Sequence, residues 1–522
     1  VFNSGSDDTS YCATFSFSSG KWYWEMLRIN DVNKTSFGII NDVEASKNAY
    51  VAYSNALGAN PSYGWDVLYG YLMTDTTQTA TGFARPPGGS ILACAVDLDS
   101  GTKTIKFYLN GVLITGGTPD INSLTITEVG ETWVPAFRID SSQQAVFNFG
   151  QDSSFAGQLT AQGNQDDNDK GDFYYAPPAG YLALCTDNLA DPSIALPGEY
   201  FNTIIWSGAQ SGSSAPDRAM TGVGFQPDMV FGKTRSNANQ GQLVYAGSTS
   251  TIQDQLIPDM PNQAGYSNGS GIVKTLDSDG FTTGAGGSGV INWDESGRTY
   301  VAWNWKESAT AGFDIVSYTG NGAARTISHS LGVVPDLIII KGRDVTEDWL
   351  VGSVPQVLGS GRMYLSTTAP DSTSYAASLW NSTAATPSVF SVGDSAVVNT
   401  NTKSYVAFLW SSIEGYSKVG SYEGNGSGDG PFIYTGFAPA MIIIKNMDDT
   451  QDWSIWDNKR PGYNVINQYL KPNDTAATSS ATSMDMVSNG FRCRGTSDIN
   501  NNNKTMIYIA FAENPFKTSN AR

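Results

Sequence analysis

From about residue 200 onward this 522-residue chain repeats itself three times, and the repetition limits its possible folds more than any other feature. An apolar stretch entered through proline ends on lysine in "GFQPDMVFGK", "GVVPDLIIIK" and "GFAPAMIIIK". The lysines are Lys233, Lys341 and Lys445, spaced 108 and 104 residues apart. A closing stretch follows each, "TYVAWNW", "SYVAFLW" and "MIYIAFAE", anchored on Tyr300, Tyr405 and Tyr508 at spacings of 105 and 103. The openings "IVSYTGNG" and "VGSYEGNG" also match, with "NTIIWSGA" as a weaker first copy. Trp349 and Trp453 each stand eight residues past the lysine, and the first copy diverges there.

A unit of about 105 residues is too long for a solenoid step and long enough to fold around its own small core. Three similar β domains in tandem are expected, at 200–307, 308–415 and 416–522. Each lysine is expected to cap its strand or to make a cation–π contact within its own domain. A surface presented three times favours multivalent binding or a structural rod over catalysis.

Upstream the rhythm is also all-β. Period-two or wholly apolar stretches such as "TKTIKFYLNGVLI" and "QAVFNFG" alternate with Gly, Asn, Asp and Ser turns. The 55 glycines, 12% aromatic residues and only 15% charged residues suit strands and turns better than helical surfaces. Asn110 and Gly111 should form the tip of a hairpin, since Asn-Gly adopts the positive φ angles of a type I′ turn. The polar run "AQGNQDDNDKGDF" and the prolines after it mark a boundary, with one domain over 1–157 and a connector over 158–199. Asp166, Asp167, Asp169 and Asp172 invite a calcium reading, but Lys170 and Gly171 fall where an EF-hand needs oxygen ligands, so a solvated loop is expected.

Thirty Lys and Arg against 49 Asp and Glu give a net charge of −19, a field that repels phosphate backbones and anionic lipid. Nucleic acid is therefore excluded as a partner, and no apolar run reaches the roughly 20 residues that cross a bilayer. Cys12, Cys94, Cys185 and Cys493 lie far apart with no CxxC pair, which suggests buried free thiols. The start "VFNSGSDDTS" has neither Met nor the features of an export signal, so the sequence is expected to begin inside a longer product or after processing.

No catalytic constellation is expected. In "KWYWEM" the alternation puts Trp22 and Trp24 on one face of a strand and Tyr23 and Glu25 on the other, a core pattern rather than a sugar platform. Glu25 has no motif partner at glycosidase spacing, and Asp97 and Asp99 read as a strand running into a turn. The single histidine, His329, all but excludes histidine triads and multi-histidine metal sites, and neither a GxSxG elbow nor a phosphate-binding loop occurs. No cofactor and no metal are expected. For carbohydrate contact the candidates are Tyr63, Trp65, Asp66, Tyr69, Tyr71 and Arg85. Flat rings could stack on sugar faces while Asp66 or Arg85 bonds hydroxyls; alternatively the rings pack as a satellite cluster, and exposure separates the two.

The motifs "SGKWYWEM", "SFGII", "ACAVDLDSGTKTIKFYLNGV" and "WVPAFRIDSSQQAVFNFGQ", in this order over about residues 10 to 155, resemble a SPRY domain. That resemblance implies a bent β-sandwich used for binding, with no catalytic residues to carry over. Residues 60–89 are longer and more aromatic than the family pattern, so its ligand loops do not map here. The tract "GDFYYAPPAGYLALCTDNL", the repeats and the ending "YIAFAENPFKTSNAR" resemble virion structural proteins of tailed bacteriophages.

The implied protein is a non-enzymatic virion component on the phage particle surface, assembled in the host cytoplasm. A tail fibre or tail spike is implied first, binding host surface glycan or protein or other virion subunits, with a homotrimer favoured. The alternatives are a capsid-attached head fibre or decoration protein, a polysaccharide depolymerase spike with two acidic groups about 5 to 10 Å apart, and a bacterial surface or extracellular filament protein.

Overall fold

The structure is a computed structural model that describes residues 2–3, 9–30, 35–42, 62–74, 78–80, 85–115, 122–128, 132–139, 144–210, 216–246, 252–261, 273–284, 293–353, 361–480, 482–496 and 498–519. It is nearly all β, in antiparallel sheets, and divides into two compact units, Val1–Asp191 and Pro192–Arg522.

In the first unit one sheet runs in the order Phe2–Asn3, Gln144–Asn148, Lys21–Arg28, Ile91–Asp97, Thr104–Leu109, Val112–Leu113. The other runs Thr9–Cys12, Trp133–Ile139, Thr35–Asn41, Ser62–Asp66, Tyr71–Thr74, Gln78–Ala80. Between them lies one core holding Trp22, Trp24 and Met26 from the first sheet and Phe37, Ile39, Trp65 and Phe137 from the second. The hairpin closes through Asn110 (φ 48°) and Gly111 (φ 78°), and the Asn110 side chain also accepts the Ile91 amide at 2.9 Å.

The strands Lys21–Arg28 and Ile91–Asp97 are buried on both faces, so something must cover the outer one. Residues 158–191, most of the stretch 158–199 expected to be a connector, do so. Leu182–Ala183 adds to Lys21–Arg28 in parallel, and Phe173, Tyr181 and Ala183 pack on Tyr23, Ala93 and Ala95.

In the second unit each repeat forms a five-stranded sheet in one order: an opening strand, a closing strand, the lysine strand and two shorter ones. The opening strands are Phe201–Ser207, Phe313–Thr319 and Ser417–Glu423. The closing strands are Thr299–Trp305, Ser404–Trp410 and Thr505–Pro515. The lysine strands are Met229–Thr234, Leu337–Gly342 and Phe437–Asn446.

A smaller sheet packs on one face of each, giving three separate cores. The other face of all three sheets enters a single common core. Period-two geometry explains the division: Ile338 and Ile340 lie in the private core of the second repeat, whereas Leu337 lies in the shared one and Ile339 packs against it. Each repeat thus has the small core of its own that its length led one to expect, and shares a second core with the other two. A strand apolar on both faces needs a cover on both.

Strand register corrects a second expectation. Lys233, Lys341 and Lys445 pair with Val301, Val406 and Ile507, which makes Met506, not Tyr508, the counterpart of Tyr300 and Tyr405. Tyr300 and Tyr405 stack on the opening strand's Trp206 and Tyr318 at 5.4 and 5.2 Å, within 14° and 12° of parallel. Tyr508, two residues along, keeps the same face but meets Tyr422 tilted at 43°.

Candidate functional site

The aromatic candidates of the first unit separate by exposure. Trp65 is wholly buried in the sandwich core and Tyr63 nearly so, its hydroxyl donating to Glu128 Oε2 at 2.5 Å and accepting the Thr127 amide at 3.0 Å. Neither can offer a ring face to a sugar. Asp66 is also buried, and its Oδ1 accepts the amides of Leu68 and Tyr69 at 3.0 and 3.2 Å. That turn holds Tyr69 outward, 51% exposed, with its ring 6.2 Å from that of the half-buried Tyr71 and near parallel to it. Arg85 is half-buried. Tyr69 and Tyr71 are therefore the members of the set whose rings reach the surface.

The carboxylates weighed as catalysts are engaged in internal bonds. Glu25 is fully buried and accepts the amides of Tyr174 and Tyr175 at 2.9 and 2.8 Å, with Asn148 and the Tyr23 hydroxyl each at 3.2 Å. It is the latch that fastens the covering segment. Burial pushes its carboxyl up, against the pull of those four donors. Asp97 pairs with Lys21 at 2.9 Å and caps the turn through Ser100, while Asp99 accepts the Gly20 amide at 2.7 Å. In the acidic loop Asp166 accepts the amides of Asn168, Lys170 and Ala183, so it closes the loop with its own backbone. His329 sits in a turn, bonded to the Thr386 carbonyl at 2.9 Å.

A carboxylate pair that the sequence did not suggest lies at the link between the first two repeats. Burial, and then a hydrogen bond with Asp314, push Glu307 up to about 7, while the Ile315 amide pulls the other way. The same link after the second repeat holds Ser412 in this place: Ser412 Oγ accepts the Val419 amide at 3.0 Å, as Glu307 accepts that of Ile315 at 3.0 Å. A serine serving equally well marks the position as a strand link. Among the described residues no group of three or more His, Cys, Asp or Glu is placed to hold a metal ion.

The repeat anchors do their work between repeats. Lys341 Nζ donates to the Pro261 carbonyl of the first repeat at 2.9 Å, and Lys445 Nζ to the Thr368 carbonyl of the second at 3.3 Å. Lys233 of the first repeat reaches the Asp474 carbonyl of the third at 2.5 Å, so the contacts run in a closed cycle. The expected cap within one domain is only half of this, seen in bonds to Asn239, Glu347 and Asn446 carbonyls of the same repeat. All three lysines are buried, and that burial lowers each ammonium to about 8.

The tryptophans follow the same cycle. Trp349 Nε1 donates to Ile257 O of the first repeat at 3.1 Å, and Trp453 Nε1 to Tyr364 O of the second at 3.0 Å. The first repeat has Gly241 in that place, where an added Cβ would lie 2.9 Å from the Phe231 ring. Its junction is closed instead by Trp303, which donates to Asp457 of the third repeat at 3.2 Å. Asp457 in turn holds Arg460 Nε at 2.6 Å, with both side chains fully buried and the guanidinium 5.6 Å from the Trp303 ring centroid. Sequence reading missed this group, because an Asp and an Arg three apart carry no signal without the neighbour that buries them.

Residues 196–515 match the family model described as "Domain of unknown function (DUF7483)". No curated protein matches the chain. Similar solved structures include a human SPRY domain, 16% identical, covering 28% of this chain and 86% of that one with a TM-score of 0.22. Another is the SPRY domain of human HERC1, also 16% identical, covering 27% and 84% with a TM-score of 0.21. Likenesses at those scores add nothing to the topology above. The family match spans more than half of the sequence, and the chain belongs to that family.

Proposed function

We propose that this member of a family of unknown function is a non-enzymatic structural protein of a tailed-phage particle, a tail-fibre or tail-spike component that binds the host surface or other virion subunits. The observation that carries binding is the Tyr69–Tyr71 pair, rings at the surface on a turn fixed by a buried aspartate. Support for a non-catalytic role comes from Glu25, Asp97 and Asp99, whose oxygens are committed to backbone amides, Lys21 and turn hydroxyls. The particle assignment rests on the order of the motifs, a SPRY-like stretch followed by the repeats. A homotrimer on the virion surface, assembled in the host cytoplasm, fits that assignment.

A capsid-attached decoration protein is the second reading, favoured by one observation. The three repeats close on each other through Lys233, Lys341 and Lys445, which suits a compact brace better than an extending rod.

Immunogold electron microscopy of intact purified particles, with antibody raised against this chain, tests the proposal. Label on tail fibres or spikes is the expected result, and label over the capsid selects the second reading. Particles without label overturn both, and label on uninfected bacterial cells points to a cell-surface filament.

A further inference from the structure

The core that the three repeats share is not completely filled. Within it lies a cavity, partly open to solvent, to whose wall every repeat contributes. The residues around it stand at matching positions. Phe231, Ile339 and Ile443 each lie two residues before the lysine of their strand, and Trp305, Trp410 and Phe511 share one position on the closing strands. The three sheets therefore surround the space together.

Its chemistry is uniform. Among the described residues the wall presents apolar atoms only. Residues two apart on one strand, such as Leu337 and Ile339, both line it, so it extends roughly 7 Å along the strands as a slot.

The middle strand of such a sheet should be its driest part. On one face of Leu337–Gly342 it is, with Ile338 and Ile340 at 1% and 0% exposure. Ile339, which points the other way, is only half-buried, and so is its counterpart Ile443. Apolar surface that water can reach but cannot hydrogen-bond is unfavourable, and an apolar ligand would cover it. A protein face cannot enter a space ringed by three sheets. A sugar or an ion would exchange its hydration for a wall that offers it no hydrogen bond.

We infer that this cavity is a binding site for one unbranched alkyl chain, the apolar group whose shape follows a slot. The site goes beyond the host-binding and particle reading and does not depend on it.

The experiment is tryptophan fluorescence of the full chain titrated with 10-bromodecanol, since bromine quenches an indole in contact with it. Trp305, Trp410 and Trp453 line the cavity among the 13 tryptophans of the chain, so occupancy should remove up to about a quarter of the emission and saturate near one equivalent. Unbrominated decanol should restore the emission. The double variant Ile339→Phe and Ile443→Phe places at both positions the residue that the first repeat already carries as Phe231, which fills the space, and should lose the quenching with an unchanged melting temperature. If that variant fails to fold, the competition on the wild type decides alone. Vesicles of brominated phosphatidylcholine then identify the source of the chain: quenching by them as well assigns it to a membrane lipid, and quenching by the alcohol alone to a free amphiphile. No quenching, quenching that rises without saturating, quenching that decanol does not reverse, or quenching that persists in the folded variant overturns the inference.

Discussion

Two of the three junctions between repeats are built alike and the third is not. Where the second repeat meets the first, and the third meets the second, a tryptophan eight residues past the lysine donates its indole N–H to a carbonyl next door. Where the first meets the third, glycine stands in that place and the contact passes through Trp303, Asp457 and Arg460. The difference teaches that a repeated fold need not close by a repeated contact. An indole on a carbonyl is neutral and tolerates small shifts, whereas a fully buried ion pair holds only if both partners and their hydrogen bonds are present.

The largest effect should come from breaking the exceptional junction. Asp457→Ala leaves Arg460 buried without its carboxylate and removes the acceptor of Trp303, so a loss of about 3 to 5 kcal/mol is expected in urea unfolding of the second unit. Trp349→Phe deletes the bond to Ile257 O and leaves a small void in the shared core, which together should cost about 2 to 3 kcal/mol. If the two losses were equal, the contrast between the junctions would be unfounded.

Restoring the sequence pattern sharpens the comparison. Gly241→Trp alone should destabilise by about 1 to 3 kcal/mol, because Phe231 occupies the space. Adding Phe231→Ile, the residue at the matching positions 339 and 443, should recover most of that loss in the same measurement.

The smallest effect per residue concerns what the three junctions share. Each buried lysine titrates near 8 in the folded chain, below the roughly 10.4 of an exposed one. Between those values the unfolded chain holds protons the folded chain has released, so stability should rise as pH climbs from about 8 to 9.5. The expected gain is of the order of 1 kcal/mol per lysine. Below about pH 7 both states hold these protons and the lysines contribute no slope. Denaturant titrations at a series of pH values should show the rise in the wild type and not in the triple Lys→Met variant at 233, 341 and 445.

How much of this was legible in the sequence depends on the range of the interaction. The threefold repeat, the all-β class, the Asn110–Gly111 turn and the alternation of Trp22 and Trp24 against Tyr23 and Glu25 rest on contacts within a strand or a turn, and periodicity records those directly. Tyr63 and Trp65 look like Tyr69 and Tyr71 in sequence; only the placement of the turn after Asp66 decides which rings meet water. The lysines announced themselves as anchors, but not that each would cross to a neighbour.

By itself, then, the sequence determined which segments become strands, where three copies of one unit lie, and that each lysine strand is apolar on both faces. Tertiary structure alone decided what covers the second face: residues 158–191 in the first unit, and the other two repeats in the second. The physical reason is that a strand's pattern states how much surface must leave water, while the partner that removes it is fixed by chain segments distant in sequence. The same holds for Met506 taking the place expected of Tyr508, since a shift of two residues preserves the face and leaves no trace in the alternation.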